Sequence, residues 1–62
     1  MKLPKNCTPL LLFLHKDIWY RIVERNDTYE LYSVIDDVNH EFLGKGNSPP
    51  KLEEKVYTGK LK

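Results

Sequence analysis

A chain of 62 residues, 40% hydrophobic and 31% charged, has room for one folded domain and not for a second, and its composition is neither that of a disordered tail nor that of a membrane protein. A formal net charge of +1 excludes the marked basic excess that drives general attraction to nucleic acid or membrane surfaces. One cysteine excludes an internal disulfide, so a core this thin is expected to lean on association, either as a homodimer or on a larger partner protein.

Charge is segregated along the chain. Residues 1–25 carry Lys2, Lys5, Lys16, Arg21 and Arg25 against Asp17 and Glu24; residues 26–43 carry Asp27, Glu30, Asp36, Asp37 and Glu41 with no Lys or Arg; residues 44–62 carry lysines against Glu53 and Glu54. Folding is expected to bring these signs together and cancel much of the field.

The opening Met1-Lys2-Leu3-Pro4-Lys5, followed by Leu10 to Leu14, imitates a secretory signal. Its apolar run is shorter than the ~7–15 residues of such a signal's core, and it ends in His15-Lys16-Asp17 with no small-residue cleavage site. No stretch approaches the ~20 apolar residues of a membrane span, and a lone Cys7 suits a reducing compartment. The expectation is a cytoplasmic protein in which residues 1–9 form a flexible leader.

In chain order, Leu10-Leu11-Leu12-Phe13-Leu14 reads as a strand covered on both sides, with Pro9 at its opening position. A polar bend at His15-Lys16-Asp17 leads to Ile18–Arg25, rich in β-branched and aromatic residues, and Asn26-Asp27 separates it from Thr28–Ile35 of the same character. Asn and Asp tolerate the positive φ of a two-residue hairpin turn. That turn sets a register: Arg25 opposite Thr28, Glu24 opposite Tyr29, Ile22 opposite Leu31, Tyr20 opposite Ser33 and Ile18 opposite Ile35. One face then carries Ile18, Tyr20, Ile22, Tyr29, Leu31 and Ile35 and is assigned to the core. The other carries Trp19, Arg21, Val23 and Arg25 against Thr28, Glu30, Tyr32 and Val34 and is mixed.

Asp36-Asp37-Val38-Asn39 supplies turn formers before a short strand at His40–Leu43, and Gly44–Pro50 reads as a surface loop. Beyond it, Ser48, Pro49, the Leu52/Val56 spacing and Gly59 describe a short C-terminal helix. The alternation of Leu52, Glu54, Val56 and Thr58 describes a strand, and Val-Tyr-Thr favours the strand. The fold class expected is therefore mainly β, all-β if the strand forms: a single domain over residues 1–62, built as a five-stranded meander or a small SH3-like or OB-like barrel.

Catalytic machinery is not expected. Cys7, His15 and His40 are scattered, with no glycine-rich anion loop beside them. Metal-ligand spacing is missing as well: there is no C-x-x-C or H-x-x-x-H, and Asp36-Asp37 with His40 and Glu41 lacks the offsets of a calcium loop. Gly44-x-Gly46 runs on into Asn-Ser-Pro-Pro and not into the Lys-Ser/Thr of a phosphate loop. No cofactor is expected. The candidate binding residues are Trp19, Arg21, Tyr32 and Val34 on the mixed face, because Trp, Tyr and Arg most often anchor protein interfaces. These point to a small protein-binding module, a regulator or inhibitor acting by occupancy. Alternatives are a single-stranded nucleic-acid or RNA-binding barrel and a structural subunit of an assembly; if a terminal segment, residues 52–61, covers the mixed face, that face is second-layer core.

Overall fold

Two tight turns organise the molecule. Lys16-Asp17 and Asn26-Asp27 all have positive φ, between 51° and 66°, the pairwise signature of type I′ turns, whose twist matches that of the strands they join. The computed structural model describes residues 2–60, in which the turns link β1 (Thr8–His15), β2 (Ile18–Arg25) and β3 (Thr28–Val34), followed by β4 (His40–Gly46) and the helix α1 (Pro49–Thr58). The four strands form one antiparallel sheet in the order β1-β2-β3-β4.

The register expected across Asn26-Asp27 is observed from Arg25↔Thr28 to Trp19↔Val34. Ile18 pairs instead with His15 on β1, because β3 ends at Val34 and Ile35 begins the next turn. There Asp36 folds the chain back: its carboxylate accepts from the backbone N–H groups of Val38 and Asn39, each at 2.9 Å, and from the Asn39 side chain. Those donors hold the Asp36 carboxyl below the usual range. Asp36-Asp37-Val38-Asn39 is thus a hydrogen-bonded turn.

The expected fifth strand is a helix, so the sheet stays open between edges β1 and β4 and does not become a five-stranded barrel. The stop signals outweigh the strand propensity of Val-Tyr-Thr. Pro49 and Pro50 take the first helical positions, where a missing N–H costs nothing. Gly59 closes the helix at φ 72°, donating to the Val56 carbonyl while Lys60 donates to that of Lys55, a Schellman arrangement. On the outer surface the Tyr57 hydroxyl donates to Glu53 at 2.7 Å. The expected loop at 44–50 shrinks to Asn47-Ser48, since Gly44–Gly46 extend β4 and Pro49-Pro50 open the helix.

Leu52 and Val56, four apart, bury one stripe of α1 against Ile22 and Leu31. Phe13, Tyr20, Tyr29 and Leu43 close around them. Leu52 lies against Gly46, and Tyr57 meets the rings of Phe13 and His15 at 5.8 and 4.9 Å, so α1 crosses the sheet from β4 to β1. The face assigned to the core is therefore the helix-covered one, but not over its whole length. Ile18 and Ile35 are exposed, Ile35 at 66%, since a ten-residue helix does not reach the end of the sheet where they stand.

Lys16 is a disfavoured occupant of the left-handed region, which costs most residues with a Cβ roughly 1–2 kcal/mol, and Asp17 is tolerated there but less well than glycine. Asp17→Gly and Asp27→Gly are each expected to raise stability by up to about 1 kcal/mol, the relief of strain being partly offset by the greater freedom of glycine when unfolded. Urea midpoints of the two variants check this. A fall in either would mean that the Asp side chain contributes something the turn geometry does not require.

Candidate sheet-face interface

The second face of the sheet is the one α1 leaves uncovered. Pairing aligns three rows across it: Leu14, Trp19, Val34 and His40; Leu12, Arg21, Tyr32 and Phe42; Pro9, Val23, Glu30 and Lys45. Two bulges bring the outer strands into these rows. One lies between Pro9 and Leu11 on β1, the other falls at Leu43 on β4, and an extra residue there turns Leu43 to the helix side while Phe42 stays on the open side.

Trp19, Arg21, Tyr32 and Val34 do share this face, as neighbours in two pairs, Trp19↔Val34 and Arg21↔Tyr32. Their exposures differ. Trp19 is 48% exposed and Val34 half-buried, whereas Tyr32 is at 2%. Arg21 is half-buried, with its Nε shielded and without a hydrogen-bond acceptor, so its aliphatic stem serves as packing beneath the charged tip. The C-terminal segment does not cover this face, since α1 packs on the other one. Of the segment 52–61 considered as a cover, residue 61 lies outside the described residues.

Tyr32 is the buried centre of the face. Its ring meets Phe42 at 5.6 Å and His40 at 6.4 Å, both edge-on, and its hydroxyl donates to Glu30 Oε1 at 2.7 Å. The other Glu30 oxygen stands 3.5 Å from Arg25 Nε. A buried carboxylate needs such partners, because desolvation without them costs several kcal/mol. The leader closes over this end: Pro4 joins Arg25, Glu30, Tyr32, Phe42 and Lys45 around an open cleft of about 530 Å³. Cys7 is half-buried and its thiol donates to the Pro4 carbonyl at 3.1 Å. The expected leader is shorter than 1–9, since Thr8 and Pro9 already belong to β1.

Burial first, and then the hydrogen bond and charge of Glu30, push the Tyr32 phenol up to about 12. The folded state therefore holds this proton more tightly than the unfolded chain, whose tyrosines titrate near ~10. The stabilisation is full below about pH 10 and is lost as pH rises from there through about 12. Tyr32→Phe is expected to lower stability at neutral pH by about 1–3 kcal/mol, by leaving Glu30 short of a donor, and to flatten the alkaline fall. Denaturant melts of both proteins between about pH 8 and 12 read the two effects; parallel pH curves would refute the assignment.

Three large hydrophobic side chains exposed on this face were not among the sequence candidates: Leu12, Leu14 and Phe42. The Leu10–Leu14 run suggested a strand covered on both sides. In the fold Leu12 and Leu14 are 49% and 51% exposed. Phe42 takes its side by alternation from His40, and that became legible only once the pairing of β4 with β3 was known.

Together these residues define an open antiparallel sheet with one face closed by a helix and the other a largely apolar surface. Compared with family models, with curated proteins and with solved structures, the chain matches none at a significant level. Among the described residues no three His, Cys, Asp or Glu side chains converge as a metal site would require, and no helix is long and apolar enough to cross a membrane.

Proposed function

We propose that this protein works by binding another protein through the open sheet face, and that its output as a regulator or inhibitor is the occupancy of that partner's surface. The observation that carries the reading is the exposure of Leu12, Leu14 and Trp19 on the adjacent strands β1 and β2, with Phe42 exposed on β4 beyond the buried Tyr32. Large apolar side chains held in place by a hydrogen-bonded sheet bind with little ordering cost, and an exposed Trp beside other apolar side chains is a frequent anchor. Charge narrows the partner. With Glu30 engaged by Arg25 and Tyr32, the cations left on the face are Arg21 and Lys45, which suit an apolar patch rimmed by acidic side chains.

A nucleic-acid reading is less well supported. Tyr32 is buried and offers no free ring to a base, and stacking platforms need exposed rings flanked by several phosphate contacts. Affinity capture from the source cell with wild-type and Trp19→Ala baits, each with and without nuclease, tests the proposal. A defined protein that survives nuclease and is lost with Trp19→Ala supports it. Capture that nuclease abolishes, or that ignores the substitution, overturns it.

A further inference from the structure

The two edges of the sheet are built differently. β4 carries Glu41 and Lys45, is interrupted by the bulge at Leu43, and leads directly into α1; charges and bulges of this kind keep an edge from pairing. β1 has none of these protections over its second half. After the bulge next to Pro9 it runs Leu11-Leu12-Phe13-Leu14 with no charge on any side chain, and three of the four, Leu11, Leu12 and Leu14, are exposed.

Hairpin geometry settles which backbone groups face outward. In a hairpin closed by a two-residue turn the flanking residues exchange both backbone hydrogen bonds, and the pattern alternates from there. Starting from His15↔Ile18, His15 and Phe13 turn their N–H and C=O groups toward β2, whereas Leu12 and Leu14 turn theirs toward the open edge. Pro9 stands in the same outward phase, where its missing N–H is harmless.

We propose that this edge pairs with β1 of a second copy, joining two sheets into one of eight strands about a two-fold axis through Phe13. That axis sets Leu12 of each copy opposite Leu14 of the other, each pair exchanging both its backbone hydrogen bonds. The occupant follows from the strand itself. A two-fold sets a segment against its own sequence, and a strand with no charged side chain meets its copy without like charges facing each other. Every copy also brings the same unpaired donors and acceptors. The leucines Leu12 and Leu14 then meet their counterparts on the open face, whose apolar patch becomes continuous across the axis. This pairing is independent of the binding role assigned to that face.

One strand pair lies at the small end of stable interfaces, so a dissociation constant of roughly 1–100 µM is expected. Sedimentation of the purified protein over a range spanning that value should show a monomer–dimer equilibrium. Hydrogen exchange at the Leu12 and Leu14 amides should slow as concentration rises. Leu12→Pro removes an outward donor that the monomer does not use, and is expected to leave the circular dichroism unchanged while weakening association by at least about tenfold. Leu12→Lys, which keeps the backbone and adds like charges near the axis, is expected to do the same. Val38→Lys, at an exposed apolar residue of the β3–β4 turn, should leave association unchanged. A monomer at every concentration overturns the proposal, as does a dimer that survives both Leu12 variants or that Phe42→Asp dissolves in their place. Because only the purified chain is used, a negative result leaves the capture experiment on the open face standing.

Discussion

Leu52→Ala is expected to leave most of the chain unfolded at room temperature. Leu52 is 1% exposed and belongs, among the described residues, to a buried cluster of four, with Ile22, Leu31 and Val56. Truncating a buried Leu costs about 2–5 kcal/mol, the upper part of the range applying where neighbours cannot collapse into the space. Here one wall of the site is backbone at Gly46, which cannot move in without bending β4. A core of this size rarely supplies more than about 3–5 kcal/mol in total, so the loss is comparable with the whole. A ten-residue helix does not stand alone in water; once α1 lets go, Ile22 and Leu31 lose their cover and the sheet goes with it. Far-ultraviolet circular dichroism and a urea melt beside the wild type read the result. A cooperative melt within about 1 kcal/mol of wild type would show that the helix is an accessory to the sheet and not its second layer.

What could be read in the sequence was what local chemistry decides. Asn26-Asp27 has the side chains for a two-residue turn, and once that turn is placed, the period of two fixes every pair from Arg25↔Thr28 to Trp19↔Val34. The sorting of Trp19, Arg21, Tyr32 and Val34 onto one face follows without further information. Lys16-Asp17 makes the same turn with a poorer residue at its first position, so the β1–β2 register was not legible; tertiary pairing imposes a left-handed Lys that propensity disfavours.

Elsewhere two local signals compete and the outcome depends on packing. Residues 52–58 alternate like a strand and also space Leu52 and Val56 like a helix. The helix wins because one stripe over Ile22 and Leu31 buries both, and because Pro49 and Gly59 bound it. The Leu10–Leu14 run was read as covered on both sides, which a single helix on one face cannot provide. Burial of Glu30 and Tyr32 was equally hidden, since it needs Arg25, a leader that folds back as far as Pro4, and the Phe42 ring packed edge-on against Tyr32.

Trp19→Ala is the substitution expected to separate binding from folding most cleanly. Had the C-terminal segment covered this face, removing the indole would have cost about 3–5 kcal/mol and with it the fold. The helix lies on the opposite side, and Trp19 is 48% exposed at the end of β2, between Leu14 and Val34. Its stability cost is therefore expected to stay near or below about 1 kcal/mol. Binding should respond differently. The indole stands beside the half-exposed Leu14 on a surface already ordered by the sheet, so truncation removes contact area that needs no rearrangement to form; a loss of about 2 kcal/mol, or roughly thirtyfold in affinity, is typical of such an anchor. Lys45→Ala, at the polar margin, should lower the association rate and its salt dependence while leaving dissociation nearly unchanged. Titration of the captured partner against the three proteins, with thermal melts alongside, measures both quantities. A Trp19→Ala protein that is folded and binds as tightly as wild type would remove the open face from the account of function. A salt dependence steep enough for several phosphate contacts would instead assign the same face to nucleic acid.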